Sequence, residues 1–164
     1  MSELKEYSHQ DLEEKALNDI NLLLDKAAAL AVNELKYKAT LIKEYSDELP
    51  ELNCWGDKLV QVFLNLLVNA VQAIDNKGDI KIQTQLEGAN IKIMICDSGC
   101  GMTEETRLRM FDPFFTTKSV GVGTGLGMHI SYNIIDNHKG KISAVSELHK
   151  GTNITIILPI YPHK

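Results

Sequence analysis

The chain has 164 residues, 44% of them hydrophobic and 24% charged, with a formal net charge of −5. That length supports one domain with a real core, and the acidic balance, with no Lys/Arg cluster interleaved with aromatics, argues against a nucleic-acid surface. The apolar runs fall well below the roughly 20 residues of a spanning helix, and no signal peptide opens the chain. Cys54, Cys96 and Cys100 form no C-x-x-C pair, so they read as reduced thiols of a cytoplasmic protein rather than as disulfides or zinc ligands.

In chain order, "DINLLLDKAAALAVNELKYKA" carries helix formers with apolar residues at helical spacing, and "TLIKEYS" is a short β-prone run. Pro50 ends that extended piece, and Gly56 with Asp57 marks a helix start, Asp57 serving as N-cap. From Leu59 the residues Val62, Phe63, Leu66, Ala70, Val71 and Ile74 recur at three and four, which predicts an amphipathic helix. Its other face carries Gln61, Asn65, Asn69 and Gln72 in one stripe. Asparagine is a mediocre helix former, so two of them one turn apart call for a reason. A solvated face is one reading and a binding face the other.

Next, "GDIKIQTQLEGANIKIMICDSGCGM" alternates at Ile80, Ile82, Thr84 and Leu86, then at Ile91, Ile93 and Ile95, with "EGAN" between: a β-hairpin. Its second arm ends at Asp97-Ser98-Gly99-Cys100-Gly101-Met102, where a carboxylate can accept a hydrogen bond and glycines let a flat ligand approach. An ordinary turn has the same composition. "TEETRLRM" reads as a short capped helix, and "FDPFFTTKS" as an aromatic anchor beside a polar surface lid. In "GVGTGLGM", residues 121–128, glycine stands at every other position and a helical segment follows. Neither G-x-G-x-x-G nor G-x-x-x-x-G-K-[ST] matches it. "GKISAVSELHKGTNITIILPI" closes the chain with two more alternating arms and a turn through Gly151. No internal repeat or interdomain linker is visible, so one α+β domain accounts for nearly everything.

Four pieces stand in order: the Asn-x-x-x-Asn helix, D-x-G-x-G, F-x-P-F and G-x-G-x-G. Together, from about Asp19 to Ile160, they resemble the catalytic, ATP-binding domain of bacterial sensor histidine kinases within the wider superfamily of gyrase, heat-shock chaperone, histidine kinase and mismatch-repair ATPases. "FDPFFTTK" looks most like the nitrogen-regulator subgroup. The resemblance implies a two-layer α/β sandwich with a mixed sheet and helices on one face. It makes residues 19–164 the ATP-binding domain and 1–18 the remnant of a preceding dimerisation helix or linker.

By the same likeness, ATP and Mg²⁺ bind between the asparagine helix and the glycine loop. Asn69 supplies an amide oxygen to Mg²⁺, a hard cation that takes oxygen ligands. Asn65 assists the phosphate and metal end, and Lys118 reaches the terminal phosphates; these two are the candidate catalytic residues. Asp97 accepts from the adenine amino group, with Gly101 and Met102 against the ring and Thr152 nearby through its hydroxyl or a water. Gly123, Gly125 and Gly127 offer backbone N–H groups at a helix N-terminus, where anions are favoured. Gln72, Ala73, Gly99, Thr116, Thr117, Gly121, Thr124 and Leu126 complete the expected nucleotide contacts.

Two departures from the family pattern matter. Hydrolytic members of the superfamily carry glutamate where this chain has Asn65, and an amide cannot take a proton from water, so rapid ATP hydrolysis is not expected. Many kinases carry lysine where Gln72 stands, which places more of the phosphate neutralisation on Lys118. None of His9, His129, His138, His149 and His163 sits in an acceptor-helix motif. The phospho-acceptor is therefore expected on another domain, the chain is expected to bind nucleotide as a monomer without phosphorylating itself, and a response regulator is expected downstream. Two alternatives stay open: a serine kinase of anti-sigma-factor type, and a non-catalytic nucleotide-sensing module. Cys54 and Trp55 are read as packing at the start of the helix, and Cys100 as a spectator thiol.

Overall fold

The computed structural model describes residues 14–115 and 127–160. The described chain runs β1 (Ala16–Asn18), α1 (Ile20–Leu30), α2 (Val32–Leu35), β2 (Ala39–Glu44), β3 (Leu52–Cys54), α3 (Gly56–Gln72), β4 (Gly78–Glu87), β5 (Asn90–Asp97), α4 (Glu104–Arg109), α5 (Gly127–Asn137), β6 (Lys141–Glu147) and β7 (Gly151–Pro159). Five strands form one mixed sheet in the order β2-β4-β5-β7-β6, with β2 parallel to β4 and the other neighbours antiparallel. The parallel pair requires a crossover, and β3 with α3 supplies it.

Alternation decides which face of the sheet is covered. The register aligns Ile82, Ile95, Ile154 and Ala144 in one row across four strands, and Thr84, Ile93, Ile156 and Ile142 in the next. Ile80, Ile82, Ile91 and Ile93 have no exposed surface, which is worth about 1.5–3 kcal/mol for each such side chain. Phe63, Leu59, Leu67 and Val62 of α3 and Ile20, Leu24 and Ala27 of α1 complete this core. The opposite face carries Lys81, Gln83 and Gln85 of β4 and Thr155 of β7, polar side chains that tolerate water. The expected two-layer α+β arrangement is thus found, with the helices packed on a mixed five-stranded sheet.

Asp19 caps α1, its Oδ1 accepting from the backbone N–H of Asn21 at 2.9 Å. The stretch expected as one helix breaks at Ala31, whose backbone leaves helical geometry between α1 and α2. Asp57 does not cap α3: the helix begins at Gly56 with Trp55 at the cap position and no side-chain cap bond. Asp57 lies inside the first turn, where its charge still complements the helix dipole, and forms an exposed ion pair with Lys26 at 3.7 Å. The start shifts because β3 delivers the chain directly into the helix. Leu86, on the alternating arm of the hairpin, is partly exposed at the strand end. β1 pairs with β3 in a two-stranded ribbon, so residues 16–18 lie against the fold.

Candidate functional site

Between α3, the loop after β5 and the start of α5 lies a cavity of about 580 Å³. That volume falls within the range of small-molecule and cofactor sites. Three of the four amides of the expected stripe, Asn65, Asn69 and Gln72, line the cavity wall together with Ala73 just after α3, whereas Gln61 is exposed and lies outside the lining. Asp97, Gly101, Met102, Gly127 and Thr152 form other parts of the lining. Thr116, Thr117, Lys118, Gly121, Gly123, Thr124, Gly125 and Leu126 lie outside the described residues, as do His9 and His163.

The register explains the polar end. One step beyond the row of Ile82, Ile95, Ile154 and Ala144 comes the row of Ile80, Asp97, Thr152 and Ser146, on the same covered face. Three adjacent strands therefore end their apolar pattern in three polar side chains side by side. Burial pushes the Asp97 carboxyl up from its ordinary value, against the opposing effect of backbone N–H groups of Gly99 and Thr152. The Gly99 N–H donates to Asp97 Oδ1 at 2.8 Å, so the carboxylate is held in place and its remaining lone pairs are available to a donor.

The loop glycines are also required by the protein's own backbone. A Cβ on Gly99 would lie 2.5 Å from the Ala73 carbonyl oxygen, and one on Gly101 would lie 2.0 Å from that of Glu147. Gly101 also has φ of +69°, a left-handed conformation that glycine adopts without a steric cost. The loop is threaded between the end of α3 and the β6–β7 turn, fastened by Cys100 N–H to Ala73 O at 2.8 Å and His149 N–H to Cys100 O at 2.7 Å. Close approach is to protein backbone on these sides. Gly99 is buried beneath the wall, whereas Gly101 reaches the lining.

The amide end is tied to α5. Asn65 Nδ2 donates to Gly127 O and to Ser131 Oγ, both at 3.3 Å, which commits the amide nitrogen and leaves the oxygen as the atom able to meet a ligand. Ser131 has no exposed surface. Between the polar ends, Met102, Met110 and Met128 with Ile95 and Ile154 supply adaptable apolar walls suited to a flat ring. Of the aromatic anchor, Phe111 packs on Tyr132 with ring centroids 5.8 Å apart and Phe115 lies against Arg109, while Phe114 is 72% exposed.

Residue reading by type overlooked Ser131 and Ser146. A signal was present for both: each is a hydroxyl on an otherwise apolar face, Ser131 beside Ile134 and Ile135 on α5, Ser146 in step with Ile142 and Ala144 on β6. Cys100 is exposed at the cavity, and Cys54 is buried, as expected at the start of α3.

The family described as histidine kinase-, DNA gyrase B-, and HSP90-like ATPase matches residues 56–162. The signal transduction histidine-protein kinase AtoS of Escherichia coli (strain K12) is 41% identical over 145 residues, covering 87% of this chain and 24% of that protein. Sensor histidine kinase ZraS of the same strain is 36% identical over 143 residues, covering 87% of this chain and 30% of that protein. The chain spans less than a third of the length of these curated relatives. A nucleotide-free structure of the catalytic domain of histidine kinase ThkA superposes with a TM-score of 0.81 at 30% identity, over 92% of this chain and all of that one. The chain belongs to this ATPase family, and within it is an ATP-binding catalytic domain of the two-component sensor histidine kinase class. No helix among the described residues is long and apolar enough to cross a membrane.

Proposed function

We propose that this chain presents the γ-phosphoryl group of ATP to a histidine on a dimerisation domain outside these 164 residues, from which a response regulator would receive it. The cavity itself carries the reading: an acceptor row at one end, a stripe of amides at the other, and an apolar slot between them sized for a nucleotide. In this reading Asp97 accepts from the adenine amino group, Gly101 and Met102 lie against the ring, and Thr152 completes the base edge. Gln72, Ala73, Thr116, Thr117, Gly121, Gly123, Thr124, Gly125, Leu126 and Gly127 surround the sugar and phosphates. Gly99 acts beneath them by holding Asp97. "FDPFFTTK" and the likeness to AtoS and ZraS support the nitrogen-regulator-like subgroup.

The donor set suits Mg²⁺. No group of three or more His, Cys, Asp or Glu side chains that could hold a metal lies among the described residues, so a protein cage is not what the site offers. Amide oxygens beside a phosphate-sized space fit a cation that keeps water and phosphate ligands. Asn69 would hold the ion, which supplies neutralisation of phosphate charge when bound. Asn65 positions the phosphate end through its tie to α5 and, being an amide, takes no proton from water, so ATP is kept for transfer. Lys118 is assigned to the terminal phosphates. Catalysis is then mainly positioning and charge stabilisation. The isolated chain is proposed to be a cytoplasmic monomer that does not phosphorylate itself.

The test supplies γ-labelled Mg-ATP, this chain and a separate dimerisation domain of the AtoS or ZraS type. Acid-labile, alkali-stable label on that domain is the expected result. Acid-stable label on a serine would favour the serine-kinase alternative, and nucleotide binding without transfer would favour a sensing module.

A further inference from the structure

Ser146 holds no role in the assignment above and does not itself line the cavity, yet it bonds to two residues that do, Met102 and Thr152. It stands opposite Thr152 in the β6–β7 register, and Thr152 stands opposite Asp97 in the β5–β7 register. Ser146 Oγ has three polar neighbours: the Met102 N–H at 2.8 Å, the Gly151 carbonyl oxygen at 3.0 Å and Thr152 Oγ1 at 2.8 Å.

Proton counting decides the direction of these bonds. A serine hydroxyl has one hydrogen to give and two lone pairs to offer. The Met102 amide can only donate, and the Gly151 carbonyl can only accept. Ser146 therefore spends its hydrogen on Gly151, and all three contacts are satisfied only when Thr152 donates to Ser146. We infer that Ser146 is a positioning residue for base selection, holding the Thr152 hydroxyl hydrogen toward β6 so that Thr152 meets the ligand with lone pairs alone.

This inference rests on the reading of the cavity as the ATP site and deepens it. Asp97 is an acceptor already, its Oδ1 engaged by Gly99. With Thr152 held as a second acceptor beside it, the floor of the pocket welcomes a 6-amino purine and repels a 6-oxo purine oxygen. Without the Ser146 hydroxyl, the Thr152 hydrogen is released and can rotate to that oxygen. Discrimination against a 6-oxo base then weakens, although Asp97 and Thr152 are both unchanged. Ser146 also ties Met102 to the sheet, so overall affinity falls with its loss for every nucleotide; the ratio between nucleotides isolates the effect on the hydroxyl.

The experiment titrates Mg-ATP and Mg-ITP, its 6-oxo counterpart, into the wild-type chain, Ser146→Ala, Thr152→Val and the double variant. A pocket that leaves buried acceptors facing the wrong base discriminates by about 100-fold or more, and removing one hydrogen-bond constraint lowers that by about tenfold. The expected result is a wild-type preference for ATP that shrinks in Ser146→Ala and does not shrink further when Ser146→Ala is added to Thr152→Val. An unchanged ratio in Ser146→Ala, or an equal drop in both backgrounds, overturns the inference while leaving the site reading intact. No Mg-ATP binding by the wild-type chain sinks the site reading itself. If Ser146→Ala melts too low to titrate, Ser146→Cys, similar in volume but with a weakly accepting sulfur, carries the same expectation.

Discussion

Two polar clusters lie at opposite ends of α3, and they differ in whether any hydrogen-bonding capacity is left over. At its N-terminus, His138 is only 4% exposed, its Nε2 accepting from the Trp55 backbone N–H at 3.2 Å and its Nδ1 donating to Ile134 O at 2.8 Å. The Trp55 ring meets it edge-on, with centroids 4.9 Å apart. Both ring nitrogens are matched and one tautomer is selected. At the C-terminal end, Asp97 and Thr152 keep lone pairs that face a cavity. A closed cluster holds two helices together, whereas an open one waits for a ligand.

The sharpest way to break the open cluster without changing Asp97 or Thr152 is Gly101→Ala. The added Cβ would meet the Glu147 carbonyl oxygen at 2.0 Å in a left-handed backbone, so the loop must leave its groove. A loss of about 3 kcal/mol or more in denaturant unfolding is expected, with nucleotide binding lost. His138→Ala breaks the closed cluster. It removes the imidazole that accepts from the Trp55 N–H and packs against its ring, and should cost about 2–3 kcal/mol while changing Mg-ATP affinity by only about threefold. A comparable loss of both would mean the two clusters are one unit.

The closed cluster also has a pH signature. Burial holds the His138 imidazole below its ordinary value of 6.5, with Lys15 adding to the effect and the Ile134 carbonyl opposing it. Lys15, which lies over the Trp55 ring, is the charged group facing it. A depressed folded value means that the unfolded chain binds the proton first, so stability is fully present above about 6.5 and is lost as pH falls below it. Melting followed from pH 8 to pH 5 should show this decline, and His138→Gln should flatten the part due to this residue. The smallest effect is expected at Asp57, which is 85% exposed beside Lys26: Asp57→Asn should shift stability by no more than about 0.5 kcal/mol.

Much of this architecture could be read from residue spacing. The seams of α3, the β4–β5 hairpin and the β6–β7 arms follow from periodicity strong enough to set each buried face, and three of the four stripe amides on α3 turn to the cavity, Gln61 being the exception. What escaped was decided by neighbours distant in sequence. β1 and β3 have three residues each, too few for any period, and exist because they pair with one another. Asp57 looked like a cap until β3 moved the helix start. Gly99 and Gly101 signalled close approach correctly, but the approaching groups, Ala73 and Glu147, come from other elements. Ser146 and Thr152 are six residues apart, and only the strand register reveals that their hydroxyls meet in a hydrogen bond.

The most direct measurement is a calorimetric titration of Mg-ATP into the chain and into Asp97→Asn, with free phosphate followed in the same cell. Saturable binding without phosphate release, weakened about 100-fold in a variant whose melting temperature does not fall, is the predicted result. The melting control rests on geometry: the amide oxygen of asparagine can still accept from the Gly99 N–H that holds Asp97 Oδ1, so the loop keeps its tie. Binding that ignores Asp97→Asn, or no binding at all, would contradict the assignment of the open cluster to the nucleotide base, and brisk phosphate release would contradict the role given to Asn65.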